Sequence, residues 1–367
     1  MPAPNRTVKL SNGVEMPVVA LGSAPLSTSD DDTSHFHPLN SFNGFLPEQA
    51  YRSVHAALEL SDKTDSDTGS PVPVHIDTAL YYRTHTHIRQ VLGNAFATGS
   101  KKRSDVFLTT KVFHPNFGDS FGTEDLGHCM PLDPECEMTY DDVYRFVYRQ
   151  FQRSLHECGV GYFDLVLLHW PGRKHPNTDA KKNAEHRLAA WNVLEDCYAK
   201  GWARAIGVSN FSEHHFEELQ SMNEAAKKKK AEESDTSPAA AVRPHVNQIE
   251  ASVFLQHKGI LDYCLDHGIV AAAYSPHGRG VTHVTDEDTV KKIAAKHQKD
   301  AGQVAMRYLL QKGYGCVVFW TTNAERVGSN HEIHDFDLDE TELAALDELN
   351  RGDGSGTWGL TSPYEIP

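Results

Sequence analysis

The chain has 367 residues, of which 39% are hydrophobic and 23% are charged, an ordinary composition for a globular protein. Its formal net charge of −15 disfavours nucleic acid as a partner, because an acidic surface repels phosphate. The sequence has no apolar run near the roughly 20 residues that span a bilayer, and its first residues lack the apolar core of a signal peptide. The six cysteines form no CxxC pair, so neither a disulfide framework nor a zinc ribbon is indicated, and we expect a cytoplasmic protein. We also expect a monomer.

Eight short apolar runs alternate with amphipathic helical patterns. The runs span residues 17–23, 73–79, 105–111, 163–169, 203–209, 244–250, 268–275 and 315–321. Between two of them, Val143, Val147 and Phe151 recur at four-residue spacing, and near the end Asp339 and Glu342 resemble a capping box. This alternation predicts a single α/β domain over residues 1–367 with the (β/α)₈ TIM barrel fold. A doubly wound sheet is the alternative, although a GxGxxG motif follows none of the runs.

Three stretches interrupt the alternation and are interpreted as long insertions. Residues 26–46 and 113–139 follow the first and third runs, where loops at the carboxyl face of a barrel would line a site. Residues 222–242 are of low complexity and highly charged, which predicts a solvated excursion. A partner site at its lysines is the alternative. If the segment is solvated, a short Gly/Ser linker in its place leaves activity and melting temperature nearly unchanged.

Several of the runs end in polar side chains. The run "FDLVLLH" ends in His169, and Pro171 then stops the strand because proline has no N–H for the sheet. The second run carries Asp77, and the third ends in Lys111. A core histidine, a helix-capping aspartate and a buried ion pair are the structural alternatives. Because the carboxyl ends of barrel strands meet at one mouth, we expect these side chains to gather there.

Two tyrosines, Tyr81 and Tyr82, follow Asp77 closely. A free phenol has a pKa of about 10, which is too high for ready proton exchange near neutrality. A lysine ammonium beside the phenol stabilises the phenolate and lowers that pKa, and an aspartate keeps the ammonium charged. A histidine can orient a carbonyl oxygen. These residue types therefore predict a general acid for carbonyl reduction that lacks only a hydride donor.

The motifs resemble those of the aldo-keto reductase family. "DTALYY" at 77–82 resembles its Asp-Thr-Ala-x-x-Tyr motif, "LTTK" at 108–111 its lysine strand and "DLVLLHWP" at 164–171 its histidine strand. Further signatures are "GWARAIGVSNF" at 201–211, "NQIE" at 247–250, "AYSP" at 273–276 and "AERVGSN" at 324–330. The resemblance is nearest to the compact microbial and plant-type members. It implies a barrel preceded by an amino-terminal β-hairpin.

The resemblance also implies roles. Tyr82, five residues after Asp77, is the general acid, supported by Asp77 and Lys111, while His169 orients the carbonyl. The implied cofactor-binding residues are Gly22, Ser23, Ser209, Asn210, Gln248, Tyr274, Ser275, Trp320, Thr321, Arg326 and Asn330. The implied substrate-pocket residues are Phe113, Trp170 and Trp358.

Two departures from the family pattern affect these expectations. The family usually has Asn-Glu soon after the tyrosine, whereas "YYRTHTHIRQVLG" suggests extra residues before the next helix. Many members that use NADP carry a lysine and a serine on the last strand for the 2′-phosphate, where this chain has Trp320 and Thr321. Arg326 and Asn330 remain, so NADP(H) is expected and NAD(H) is left open.

The resemblance therefore implies reduction of an aldehyde or ketone by NAD(P)H, with a small carbonyl compound as substrate and no nucleic acid or membrane partner. A non-catalytic subunit that binds the cofactor as a redox sensor is the first alternative. A metal-dependent barrel hydrolase is the second, because His85 and His87 form an H-x-H pair and His169 could join them. We expect no metal, since the pair lacks a matching carboxylate set.

Overall fold

The computed structural model describes residues 6–24, 47–62, 71–113, 138–172, 179–234, 236–237, 239–352 and 362–367. The predicted insertion at 26–46 lies outside the described residues, as do most of the insertion at 113–139 and the whole neighbourhood of Trp358.

The eight apolar runs form the strands of one closed parallel barrel. A separate antiparallel hairpin of β1 (Thr7–Lys9) and β2 (Glu15–Pro17) precedes it. The barrel strands are β3 (Val19–Gly22), β4 (Val74–Asp77), β5 (Val106–Val112), β6 (Phe163–Leu168), β7 (Ala203–Ser209), β8 (Val246–Glu250), β9 (Val270–Tyr274) and β10 (Cys316–Phe319). They are ordered along the chain, and β10 pairs with β3. The predicted barrel and hairpin are therefore confirmed, and the doubly wound alternative is wrong because the sheet closes.

Helices surround the barrel. Within the described residues they are α1 (Pro47–Leu60), α2 (His85–Ala97), α3 (Tyr140–Cys158), α4 (Ala180–Ala199), α5 (Glu213–Glu233), α6 (Lys258–Asp266), α7 (Asp288–His297), α8 (Ala301–Gln311), α9 (Ala324–Ser329) and α10 (Glu340–Asp347). The predicted capping box starts α10, where Asp339 Oδ1 accepts the Glu342 N–H and Glu342 Oε2 accepts the Asp339 N–H, each at 2.9 Å. None of the described helices is long and apolar enough to cross a membrane.

Burial on two sides explains why most strand residues are apolar. All six residues of β6 are buried. Leu165 and Leu167 belong to the cluster inside the barrel, whereas Val166 and Leu168 pack toward the outer helices. Because side chains alternate along a strand, one set fills the barrel and the other contacts the helix layer. The carboxyl ends of the strands open to the mouth of the barrel, where polar side chains can reach a ligand.

Most of the described residues of 222–242 are exposed, but the segment is not a loop throughout. Residues 222–233 are the second half of α5, and Asn223 is buried against Glu195 of α4. Glu195 accepts hydrogen bonds from Asn223 Nδ2 at 2.9 Å and Val242 N at 2.7 Å, and its other oxygen is 3.0 Å from Lys227 Nζ. This one buried carboxylate thus contacts polar groups from both ends of an otherwise largely exposed segment.

The Glu195→Ala variant is expected to lower the free energy of unfolding by about 1–3 kcal/mol. The buried Asn223 amide and Val242 N–H then lose their acceptor and stay without one. Urea unfolding followed by circular dichroism measures the change. Glu232→Ala, at an exposed position of α5, is the control and is expected to stay within about 0.5 kcal/mol of the native protein. Equal midpoints for Glu195→Ala and the native protein would contradict this anchoring role.

Candidate active site

A cavity of about 480 Å³ opens at the carboxyl ends of the strands. Three of the four predicted catalytic side chains line it: Asp77, Tyr82 and His169. The fourth, Lys111, lies beneath the floor of the cavity and contacts Asp77 and Tyr82. The lining residues are Gly22, Ala24, Asp77, Tyr81, Tyr82, Phe113, His169, Trp170, Ser209, Asn210, Gln248, Tyr274, Ser275, Pro276, His277, Arg279, His283, Thr285, Asp286, Val318, Phe319, Trp320 and Arg326.

Lys111 joins the polar groups at the floor of the cavity. Its fully buried Nζ lies 2.5 Å from Asp77 Oδ1 and 3.4 Å from Tyr82 Oη, and it donates to the Thr78 carbonyl oxygen at 3.1 Å. The second oxygen of Asp77 accepts from Gln248 Nε2 at 2.8 Å. The carboxylate and ammonium are thus paired and hydrogen-bonded, which offsets the cost of burying two charges.

Burial raises the pKa of Tyr82 above its ordinary value, although the Lys111 ammonium acts in the opposite direction. The net shift is therefore opposite to the one expected from Lys111 alone, because the phenolate would be desolvated at the cavity floor. Burial by itself would lower the pKa of Lys111, but the charge of Asp77, the neighbouring Tyr82 and the hydrogen bonds to both residues together outweigh it, and the net pKa is raised. At neutral pH the site thus holds a protonated phenol beside a charged ammonium.

His169 forms the wall next to Tyr82. The two rings meet edge to face with centroids 5.7 Å apart, and Phe113 stacks on the other side of the imidazole at 4.8 Å. Burial, and then the Lys111 charge, lower the pKa of His169 well below its ordinary value, so the ring is neutral at neutral pH. Its Nδ1 is buried without a hydrogen-bond partner among the described residues.

A short turn places Tyr82, and not Tyr81, beside Lys111. Residues Leu80–Tyr82 form a single 3₁₀ turn, Arg83 follows in the left-handed region with φ 56°, and α2 begins at His85. Two residues, Arg83 and Thr84, separate the turn from the helix, and the expectation of extra residues relative to the family stays a prediction. Tyr81 instead packs edge-on against Phe113, with ring centroids 5.2 Å apart.

The H-x-H pair does not form a metal site. His85 is buried, and its Nε2 lies 3.2 Å from Thr110 Oγ1. His87 is two residues along the same helix, a spacing at which side chains do not face each other. In the part of the chain that the structure describes, no three His, Cys, Asp or Glu side chains are grouped as metal ligands. The hydrolase alternative therefore finds no support.

Several predicted cofactor-binding residues form a hydrogen-bonded rim on one side of the cavity. Asn210, with φ 61°, directs its Nδ2 to the His169 carbonyl oxygen at 3.0 Å and accepts from Tyr274 Oη at 2.9 Å. Ser209 Oγ donates to the Gln248 carbonyl oxygen at 2.7 Å. Asparagine tolerates the left-handed conformation better than most residues, which lets the chain turn sharply after β7.

The remaining predicted cofactor residues divide into two groups. Gly22, Ser275, Trp320 and Arg326 line the cavity, whereas the other three do not. Ser23 is buried, and its Oγ lies 3.0 Å from Thr84 Oγ1. The Thr321 carbonyl oxygen accepts a hydrogen bond from Ser53 Oγ at 2.6 Å. Asn330 is buried at the end of α9.

The sequence analysis missed the loop after β9, although it follows a strand end. Residues 276–286 contribute His277, Arg279, His283 and Asp286 to the wall. Any loop that follows a barrel strand can line the site, whether or not it is an insertion. Applied to this short loop as well, that rule identifies these residues.

A model described as the aldo/keto reductase family matches residues 33–351. A glyoxal reductase from Bacillus subtilis is 30% identical over 351 residues, which cover 95% of this chain and 95% of that protein. A 9,11-endoperoxide prostaglandin H2 reductase from Trypanosoma cruzi is 30% identical over 277 residues, 75% of this chain and 77% of that protein.

Solved structures agree with this result. A Bombyx mori aldo-keto reductase, AKR2E4, in complex with NADP has a TM-score of 0.67 and 26% identity, and the match covers 96% of this chain and 94% of that one. An aldo-keto reductase, AKR2E5, complexed with NADPH has a TM-score of 0.66 and 27% identity, and the match covers 97% of this chain and 89% of that one. The fold and site define a barrel oxidoreductase. The chain belongs to the aldo-keto reductase family.

Proposed function

We propose that this aldo-keto reductase reduces an aldehyde or a ketone to an alcohol with NADPH, and that the same groups serve the reverse reaction. One observation carries the proposal: Lys111 Nζ lies between Asp77 and Tyr82 Oη beneath a cavity of about 480 Å³. The relatives solved with NADP and NADPH support the choice of cofactor.

The wall of the cavity fits such a cofactor. Tyr274 and Trp320 supply flat rings for the nicotinamide and adenosine parts, and Arg279 and Arg326 supply positive charge for the phosphates. Ser209, Asn210 and Gln248 would hold the carboxamide. When bound, the reduced cofactor supplies a hydride to the carbonyl carbon.

Tyr82 is the proton donor in this proposal. Its raised pKa keeps the phenol protonated until negative charge develops on the carbonyl oxygen, which then takes the proton. The tyrosinate left behind is stabilised by Lys111, whose charge Asp77 maintains. Neutral His169 would direct a ring N–H toward the same oxygen, so the substrate carbonyl is held between two donors.

Turnover of a broad aldehyde panel tests the proposal. The purified native protein is expected to oxidise NADPH in the presence of at least one aldehyde, at a rate proportional to enzyme concentration. Tight NADPH binding without turnover of any member would favour the redox-sensor alternative. Tyr82→Phe protein is the control, because it is expected to bind NADPH without turning over.

Recognition of the 2′-phosphate is proposed to depend on Arg326. A charge-assisted bond to a partly exposed phosphate contributes roughly 1.5–3 kcal/mol, or about 10- to 150-fold in affinity. Arg326→Ala is expected to weaken NADPH by that factor and NADH much less. Trp320→Lys, which introduces a cation at the cavity wall, is expected to tighten NADPH specifically. Fluorescence titration of both cofactors measures these effects. Equal native affinities for NADH and NADPH, unchanged by Arg326→Ala, would contradict the assignment.

We further propose that the enzyme is of the aldehyde-reductase subtype, and that it is a monomer located in the cytoplasm. The cysteines within the described residues are free and buried, which suits a reducing compartment. They are Cys158, Cys197, Cys264 and Cys316. Light scattering of the purified protein tests the monomer.

A further inference from the structure

Residues 362–367 return to the mouth of the barrel and pack behind the cavity wall. Ile366 is 5% exposed and forms a small apolar cluster with Phe113 and Trp170, against which Tyr81 also packs. These three aromatic residues line the cavity, and Ile366 contacts them from behind. The segment therefore supports one side of the substrate pocket.

Side chains of α4 and α5 hold the backbone of this segment. Arg187 Nη2 and Asn183 Nδ2 both donate to the Pro367 carbonyl oxygen, at 3.0 and 3.1 Å. His215 Nε2 donates to the Ile366 carbonyl oxygen at 2.9 Å. We call Asn183, Arg187 and His215 the terminal latch.

The histidine of the latch has a defined protonation state. Its Nδ1 accepts the Ser212 N–H at 3.0 Å, so the neutral ring carries its proton on Nε2, the atom that bonds Ile366. Burial, and then the charge of Arg187, lower the pKa of His215 to about 3. The bond to the terminal segment is therefore made by a neutral imidazole throughout the neutral pH range.

Arg187 connects the latch to the end of the histidine strand. Its side chain is fully buried, its Nε donates to the Pro171 carbonyl oxygen at 2.7 Å, and its Nη1 lies 2.5 Å from Glu218 Oε2. Pro171 is two residues after His169. One guanidinium thus ties the turn after His169 to the terminal segment, using the fixed fork geometry that lysine lacks.

The contacts continue from the latch to the reacting groups. Gln150 holds the backbone of Phe113 on both sides, accepting from its N–H at 3.0 Å and donating to its carbonyl oxygen at 3.1 Å. With the backbone held, neighbouring side chains set the position of the Phe113 ring. On one side that neighbour is Ile366, and on the other it is the imidazole of His169, stacked at 4.8 Å.

We propose that Arg187 is a positioning residue of the substrate pocket. With Asn183 and His215 it fixes residues 362–367, so that Ile366 closes the pocket behind Phe113 and Trp170. The latch thereby limits the bulk of the carbonyl substrate and keeps His169 aligned. This inference rests on the proposed carbonyl reduction.

The Ile366→Ala variant tests the pocket directly. Removing methyl groups from a closed apolar pocket changes discrimination by about tenfold or more. The ratio of kcat/KM for 2-naphthaldehyde to that for propanal is therefore expected to rise by about that factor, with the Kd of NADPH unchanged. Tyr364→Phe is the matched control: Tyr364 lies in the same segment, its hydroxyl contacts Glu213 at the surface, and the ratio should not move.

Arg187→Met and Asn183→Ala test the latch. Both are expected to raise the same ratio, Arg187→Met more, because it loses the bonds to Pro171 and Pro367 together. If Arg187→Met does not fold, Asn183→Ala, which removes a single bond to Pro367, decides. A purely structural role would lower the free energy of unfolding and leave the ratio unchanged.

The outcomes are distinguishable. Native selectivity in an active Ile366→Ala enzyme, or in folded latch variants, would overturn the positioning role and leave carbonyl reduction intact. Native protein that turns over no aldehyde would overturn the proposed function and this inference with it.

Discussion

The Tyr82→Phe variant is expected to lose about 10²–10⁴-fold in kcat for aldehyde reduction, because it keeps the ring and removes only the proton donor. The Kd of NADPH is expected to stay near the native value. Steady-state kinetics on a single aldehyde, together with fluorescence titration of NADPH, measure both quantities on the same preparation.

Tyr81→Phe is the matched control, since it removes a hydroxyl from the adjacent residue. Tyr81 packs on Phe113, whereas the hydroxyl near Lys111 is that of Tyr82, so far less loss is expected. Native turnover by Tyr82→Phe together with an inactive Tyr81→Phe would show that the neighbouring tyrosine carries the proton.

The second large effect is expected from Lys111→Met. The substitution leaves the carboxylate of Asp77, 2% exposed, with its bond to Gln248 but without its cation. Breaking a buried pair in this way costs about 3–5 kcal/mol in the free energy of unfolding. Aldehyde reduction is expected to fall by about 10²–10³-fold, because the tyrosinate of Tyr82 then loses the adjacent ammonium that stabilises it most.

A double variant separates the two consequences. Asp77→Asn combined with Lys111→Met removes both charges, so most of the lost stability is expected to return while the lost activity is not. Urea unfolding and aldehyde turnover are measured on the native protein, both single variants and the double variant. Full activity in the double variant would show that the charge of Lys111 is not needed for proton transfer.

Much of the fold could be predicted because barrel strands are buried on both faces. Runs such as Phe163–Leu168 are then apolar at all positions but one, and the helices between them show the spacing of a single buried face. The end of α5 could not be predicted in this way. Its lysines and glutamates have the composition of a solvated loop, and the partner that orders them, Glu195, is on the preceding helix.

The contacts at the start of α2 could not be predicted from the sequence for a related reason. Thr84 and His85 stand where the family has Asn-Glu, and the motif alone suggested inserted residues. In the structure Thr84 Oγ1 lies 3.0 Å from both Ser23 Oγ and Thr78 Oγ1, and His85 contacts Thr110. These contacts come from residues distant in the chain, so only the packing reveals them.

The sequence by itself determined the barrel and the gathering of Asp77, Tyr82, Lys111 and His169, because parallel strands bring their carboxyl ends to one mouth whatever surrounds them. Only the tertiary structure decided the direction of the pKa shift of Tyr82, since desolvation depends on every group that excludes water from the phenol. It also decided that Ile366 supports Phe113, because these residues are remote in the chain and meet only through packing.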